Sequence, residues 1–243
     1  CDSILECFVS SWIGYYSYYK SREKDSVLID QLTIFRDYRP FIRRGEDYLV
    51  IQHCIEEEIP IRKQADFDEV RKELGEEVLY RFYQLFYAAR EEILQAEKEY
   101  WLRLNPLFPF VRPLLNEISG KDQFHIVSTK KVEYIKEILA ANRIDWAEQR
   151  IHYSGDHPKL RYIGSLMHQT RRQQAIFIDD QLDHFKNGQD NRIQSYLASW
   201  GYVKEQWLQD DAAEVLDPEG FAALIRKLYI VQSEIQRRQD REQ

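Results

Sequence analysis

Ala175-Ile176-Phe177-Ile178-Asp179-Asp180 is an apolar run of strand length that ends in two adjacent carboxylates. β-Branched and aromatic residues in such a run favour a buried, pleated strand. The same texture recurs outward from it. Upstream, Phe124-His-Ile-Val-Ser-Thr129 follows the turn residues Gly120-Lys-Asp122 and feeds a helix whose Val132, Ile135, Ile138 and Leu139 share one face. Arg150-Ile-His-Tyr153 is a second short run, followed by a helix around Leu160 to His168. Downstream, Arg192-Ile-Gln-Ser-Tyr-Leu-Ala198 reads as another strand, and Phe221, Leu224, Ile225 and Leu228 mark a last amphipathic helix. Strands alternating with helices predict an α/β fold, a Rossmann-like parallel sheet covered by helices on both faces. Such sheets bind ligands at the carboxyl ends of their strands. That rule singles out Ser128-Thr129, the loop from Tyr153 to Lys159, and Asp179-Asp180.

From Phe8 to about Glu117 the pattern is helical instead. In Phe67 to Leu104, Val78, Phe82, Leu85, Phe86, Ala89 and Ile93 recur at the spacing of one helical face. Glu76, Glu77, Arg81, Arg90, Glu91 and Glu92 read as the solvated face. Phe8 to Lys20 is dense in aromatics (Phe8, Trp12, Tyr15, Tyr16, Tyr18, Tyr19), expected mainly in a core. Asn105-Pro-Leu-Phe-Pro-Phe110 breaks the helical run, because proline cannot donate to the helix ladder, and predicts a hinge. A polar tail is expected after Gln232.

With 243 residues, the chain has room for one or two domains at about 150 residues each. Its 34 Lys and Arg stand against 41 Asp and Glu, a formal net charge of −7. A nucleic-acid partner is not expected, since phosphate backbones are bound by basic surfaces. No stretch approaches the ~18 uninterrupted apolar residues of a membrane helix, so no membrane partner is expected either. Cys1, Cys7 and Cys54 are odd in number and lack CxxC spacing, which argues against a disulfide framework or zinc knuckle and for a reducing, cytoplasmic setting.

Held at a strand end, Asp179 and Asp180 repel each other, and hard oxygen ligands of this kind suit Mg²⁺. A helix N-cap accounts for one of the two but not both. Asp183 stands close enough to support a ligand or Lys159; His184 reads as a surface residue. Ser128-Thr129 follows a strand and is expected to open a helix, where backbone N–H groups and a hydroxyl favour a phosphoryl group. Lys159, after His157-Pro158 and before a helix, offers a positive charge to the same anion. His53, His125, His152, His157 and His168 lack metal-ligand spacing and read as structural or surface residues. No Gly-rich phosphate loop is present.

Taken together, these elements resemble the haloacid dehalogenase (HAD) superfamily, whose order is an aspartate pair after the first strand, a Ser or Thr after the second, a Lys before a helix, and an acidic pair after the fourth. Cys1-Asp2-Ser3-Ile4-Leu5 resembles the end of the first motif, Ser128 with Thr129 and Lys130 the second, Lys159 the third, and Ile178-Asp179-Asp180-Gln-Leu-Asp183 the fourth. Trp200-Gly201-Tyr202 is another familiar feature of the group. The resemblance covers the whole chain. It implies a HAD-type core of residues 1–8 and 112–243, with an all-α cap inserted at 9–111. Asp2 would take the place of the family's acid/base, and the nucleophilic Asp, with the central first strand, would stand immediately before Cys1. Ser3, Ile4 and Cys7 depart from the residues common at their places, and the spacing to Asp183 fits if Asp179 is the ligand.

The activity implied is that of a Mg²⁺-dependent phosphatase working through an aspartyl-phosphate on a small phosphorylated metabolite. Mg²⁺ would be held by the nucleophile, the Asp2 carbonyl and Asp179 or Asp180. Ser128, Thr129 and Lys159 would bind the phosphoryl oxygens, and Arg36, Arg39, Arg43 and Arg44 of the cap could meet an anionic substrate. The alternatives are a phosphomutase of the same family and a non-catalytic binding protein on the same scaffold.

Overall fold

The structure, a computed structural model, describes residues 2–19, 29–155, 157–186 and 190–239. Cys1 and Lys20, which enter the reading above, lie outside them. Contacts divide the chain into two units, Cys1–Pro106 and Leu107–Gln243. Residues 1–8, expected with the α/β part, group with the helices instead, because Ile4 opens an uninterrupted helix that buries Ile4, Cys7 and Phe8.

The first unit contains α1 (Ile4–Tyr19), α2 (Ile29–Tyr38), α3 (Asp47–Glu56), α4 (Gln64–Ala96) and α5 (Lys98–Arg103). Within it, α1 packs against α3 and α4. The expected apolar stripe of α4 buries Phe82, Phe86, Ala89 and Ile93. Aromatic rings carry much of this core: Tyr48 stacks on Phe35 at 5.9 Å and on Phe86 at 5.0 Å. The run expected as one helix is broken at Gly75, whose φ of 76° is a conformation that residues with a Cβ rarely adopt.

Arg90 departs from the solvated face assigned to it. It is buried, and its guanidinium holds both oxygens of the equally buried Glu6, Nε to Oε1 at 2.7 Å and Nη2 to Oε2 at 2.9 Å. The Ser10 hydroxyl donates to Glu6 Oε1 at 2.8 Å, and the guanidinium lies 4.5 Å over the Phe86 ring. Helical periodicity set Arg90 among exposed charges, but α1 covers that edge of α4 and supplies the counter-charge.

In the second unit, β1 (Ile126–Ser128) and β2 (Ile151–Tyr153) pair in parallel, as do β3 (Ala175–Asp179), β4 (Ile193–Ala198) and β5 (Glu214–Leu216) in that order. The fold is therefore mixed α/β with parallel strands, arranged as two small sheets rather than one continuous sheet. Helices α6 (Val111–Ile118), α7 (Val132–Ala141), α8 (Lys159–Gln169), α9 (Asp183–Lys186) and α10 (Pro218–Gln239) cover them. The tail expected after Gln232 is thus helical as far as Gln239.

Adjacent residues of β1 enter different cores, as alternation along a strand requires. Ile126 packs with Leu114, Ile135, Leu139, Ile151 and Ile225 of one cluster. Val127 packs with Leu160, Ile163, Phe177 and Phe185 of the other. β1 is thereby covered on both faces. No helix among the described residues is long and apolar enough to cross a membrane.

One polar contact crosses β1 and β2. His125 Nδ1 and His152 Nε2 are 2.9 Å apart with the rings stacked, and the Tyr162 hydroxyl of α8 lies 3.4 Å from His152 Nδ1. Between two ring nitrogens one must donate and the other accept, so the contact needs at least one neutral imidazole. Burial holds both histidines below their ordinary pKa; at His125, Arg150 and Arg172 add to this while Asp122 opposes it, and at His152 the His125 charge adds to it.

Two outcomes follow from these buried polar contacts. Arg90→Met leaves the Glu6 carboxylate buried and unpaired, and should cost about 3–5 kcal/mol in urea unfolding; Glu6→Leu combined with Arg90→Met should recover most of that loss. For the histidines, a lowered folded-state pKa means that the unfolded chain binds more protons. Their contribution is present above the unfolded value of about 6.5 and is lost as pH falls below it. Melting temperature should therefore drop on acidification from about pH 7 to about pH 5, and His125→Phe should flatten that drop.

Candidate functional site

The carboxyl end of β3 gathers the charges that the sequence singles out. Asp179, the last residue of the strand, sits opposite Leu197 of β4. Its Oδ2 accepts from Lys159 Nζ at 2.6 Å, with both side chains about nine-tenths buried. Its Oδ1 accepts from the Gln181 N–H at 2.9 Å and from His184 Nδ1 at 2.9 Å. A carboxylate can only accept, so Nδ1 is the protonated nitrogen of that imidazole. Burial alone would raise the Asp179 pKa, but Lys159 and His184 outweigh it and hold the carboxyl well below the usual range.

Local structure accounts for this convergence. Lys159 is the first residue of α8, and Pro158 before it has the φ of −55° that starts a helix. Leu160 and Ile163 anchor α8 in the same cluster as Phe177 of β3, which brings the start of the helix to the end of the strand. Asp183 opens α9, and the next residue, His184, turns back onto Asp179. His184 is thus part of the charge cluster rather than a surface residue. Only the turn-and-helix geometry of residues 180–184 reveals this; the sequence carries no signal for it.

Asp180 has a different environment. Its Oδ2 accepts the Tyr202 N–H at 3.1 Å, and a Cβ at Gly201 would overlap its side chain. Gly201 is therefore a close approach of backbone to carboxylate that no other residue allows. The turn is pinned from behind, where Trp200 packs edge-on against Phe110 at 5.3 Å and lies 5.1 Å from Phe221 of α10. Asp180 keeps its Oδ1 without a hydrogen-bond donor among the described residues.

Ser128 ends β1. Its Oγ accepts the Lys130 N–H at 3.0 Å, and its carbonyl accepts the Ser154 N–H at 2.9 Å across to the end of β2. Thr129 beside it is exposed. The expectation that Ser128-Thr129 opens a helix needs correction: α7 starts at Val132, with Lys131 in the N-cap position and no side-chain cap. The hydroxyl of Ser128 closes the turn before the helix, because Lys130 and Lys131 intervene.

Asp2 belongs to the helical unit, where its Oδ1 accepts the Ile4 N–H at 3.3 Å and its own N–H donates to the Pro106 carbonyl at 2.8 Å. In the same unit, Arg43 pairs with Asp68 at 2.9 Å, Arg44 reaches Glu46 at 4.0 Å, and Arg39 lies over the Tyr48 ring. Among the described residues no group of three or more His, Cys, Asp or Glu side chains converges as a metal cage.

No protein-family model, curated protein or solved structure matches this chain. The chemistry of the strand ends therefore has to be read from their own geometry. Two carboxylates share one strand end yet hold unlike partners: Asp179 is bound by the Lys159 ammonium and the His184 ring N–H, while Asp180 is fixed by backbone and keeps one oxygen open. Such a pair can hold a lysine in place with one member and present oxygen to a hard cation with the other.

Gly201→Ala should displace Asp180 and cost about 1–3 kcal/mol in denaturant unfolding. Gly120→Ala, at a position where a Cβ meets nothing within 4 Å, should stay within about 0.5 kcal/mol of the parent.

Proposed function

We propose that the α/β unit is the catalytic core of a Mg²⁺-dependent phosphatase of the HAD type, acting on a small phosphorylated metabolite. The observation that carries this reading is the Lys159–Asp179 ion pair at the carboxyl end of β3, beside the open oxygen of Asp180. Lys159 is held at the strand end by Asp179, and its ammonium carries further donors for a phosphoryl oxygen. Ser128, at the end of β1, offers a hydroxyl hydrogen to the same group.

The donor set fits a hard cation at Asp180 better than at Asp179, whose two oxygens already accept three donors. A bound Mg²⁺ would supply charge neutralisation for substrate and nucleophile. His184 and Lys159 would keep Asp179 ionised, and the Gly201-Tyr202 turn would hold the Asp180 carboxylate in one orientation.

The two sheets support the same reading. β1 and β3 each have one edge with no paired strand among the described residues, and Val127 of β1 shares a core with Phe177 of β3. Ser128 and Asp179 thus end strands that share one core. In the family that the chain resembles, an aspartate is the nucleophile and a second carboxylate serves as acid and then base. Transfer would form the bond from carboxylate oxygen to phosphorus and break the ester bond; water would then release phosphate.

The test is phosphate release from a panel of phosphorylated metabolites by the full-length protein, with Mg²⁺ and with EDTA. Activity should require the metal, and Asp180→Asn or Lys159→Ala should lower kcat by about 10²–10³-fold. Hydrolysis that survives Asp180→Asn or EDTA would overturn the reading.

A further inference from the structure

Ser154 follows directly on β2 and is 1% exposed, yet its hydroxyl has no hydrogen-bond partner among the described residues. Its backbone is fully engaged: the N–H donates to the Ser128 carbonyl and the carbonyl accepts the His157 N–H at 3.0 Å. A buried hydroxyl left unpaired is unfavourable, and alanine would fill the same space without that cost. Of the buried unpartnered side-chain atoms among the described residues, only this one lies just past the carboxyl end of a strand.

Its surroundings indicate what the hydroxyl would bind. Alternation along β2 sends Ser154 to the same side as His152, whose ring meets Tyr162 of α8. That side faces the beginning of α8, an 11-residue helix whose N-cap residue, Pro158, provides no side-chain acceptor. First-turn N–H groups of a helix have no partner within it and favour an anion. Lys159, at that first position, adds a full positive charge. A buried hydroxyl, an uncapped helix start and a buried lysine thus lie within six residues of one another, and the first of them is linked by backbone hydrogen bond to Ser128.

We infer that Ser154 is a binding residue for a tetrahedral oxyanion, donating its hydroxyl to a phosphoryl oxygen held by Lys159 and the start of α8. The assignment rests on the phosphatase reading above and adds to it a ligand that the family motifs do not name. Ser154 takes no part in bond making. It holds the phosphoryl group in ground state and transition state alike, and so acts on affinity rather than on the chemical step.

The experiment compares Ser154→Ala with the parent in thermal unfolding, alone and with inorganic phosphate plus Mg²⁺, and in steady-state kinetics. Without phosphate, Ser154→Ala should melt at or above the parent temperature, because an unpaired polar group has been removed. With phosphate, its Kd should rise about 5-fold, the equivalent of one lost hydrogen bond, and KM should rise by a similar factor with kcat little changed. Ser154→Cys, which keeps a weak donor, should fall between the two and carries the comparison if the alanine variant does not fold. Ser165→Ala, which removes an exposed hydroxyl bonded to the Arg161 carbonyl on the same helix, should leave phosphate affinity unchanged. Parent-like phosphate affinity in Ser154→Ala, with the parent itself stabilised by phosphate, would overturn the Ser154 assignment alone. A parent indifferent to phosphate would overturn it together with the site reading.

Discussion

The ion pair between Lys159 and Asp179 joins three elements that would otherwise meet only through apolar packing. Asp179 ends β3, Lys159 begins α8, and His184 reaches the same carboxylate from α9. A carboxylate this deeply buried stays ionised only when donors saturate it, as Lys159, His184 and the Gln181 N–H do here. The pair thereby fixes where the first turn of α8 lies against the sheet. Asp180, the next residue along the chain, is held separately by the Tyr202 N–H and the close approach of Gly201.

The helical unit uses buried charge differently. Glu6 accepts two bonds from Arg90 and one from Ser10, and the guanidinium is covered by the Phe86 ring. In this network both carboxylate oxygens of Glu6 are taken up by donors inside the protein, which favours a single arrangement. At the end of β3 and β2 the saturation is incomplete. Asp180 keeps one oxygen, and Ser154 keeps its hydroxyl hydrogen. Buried polar groups in folded proteins are nearly always paired, so the unpaired Ser154 hydroxyl just past the end of β2 is a place where a polar ligand group would supply the missing partner.

Much of this architecture was legible before any coordinates, and the reasons are local. Short continuous apolar runs rich in β-branched residues, such as Ile126-Val127 and Ala175 to Ile178, read as buried strands, and the turn residues around them set their limits to within two residues. Asp179, Asp180 and Lys159 stood out because charge at a strand end or helix start is physically conspicuous. What escaped detection depends on contacts distant in sequence. Arg90 looked solvated until α1 was laid across it, His184 looked like surface until the turn at residues 180–183 folded it back, and β5 is only Glu214-Val215-Leu216, too short to signal itself. The division into two sheets is likewise a property of pairing, which no single strand encodes.

Gly201 and Ser154 show why the remaining site residues are hard to read from composition. Neither carries charge, and both belong to residue types common in loops. Gly201 matters for what it lacks: with any Cβ, the Asp180 carboxylate could not occupy its place under the Tyr202 N–H. Ser154 matters because its hydroxyl has no partner, a property invisible until burial and every neighbouring donor are known. Both are unfavourable choices for stability alone, since glycine loosens the unfolded chain and an unpaired hydroxyl loses its water. Stability alone would favour alanine in place of Ser154, whereas at Gly201 the Asp180 carboxylate packed against the backbone excludes any Cβ. That both stand at the carboxyl ends of parallel strands, beside the one buried lysine–aspartate pair described in this unit, places the departures from local stability where α/β folds bind ligands.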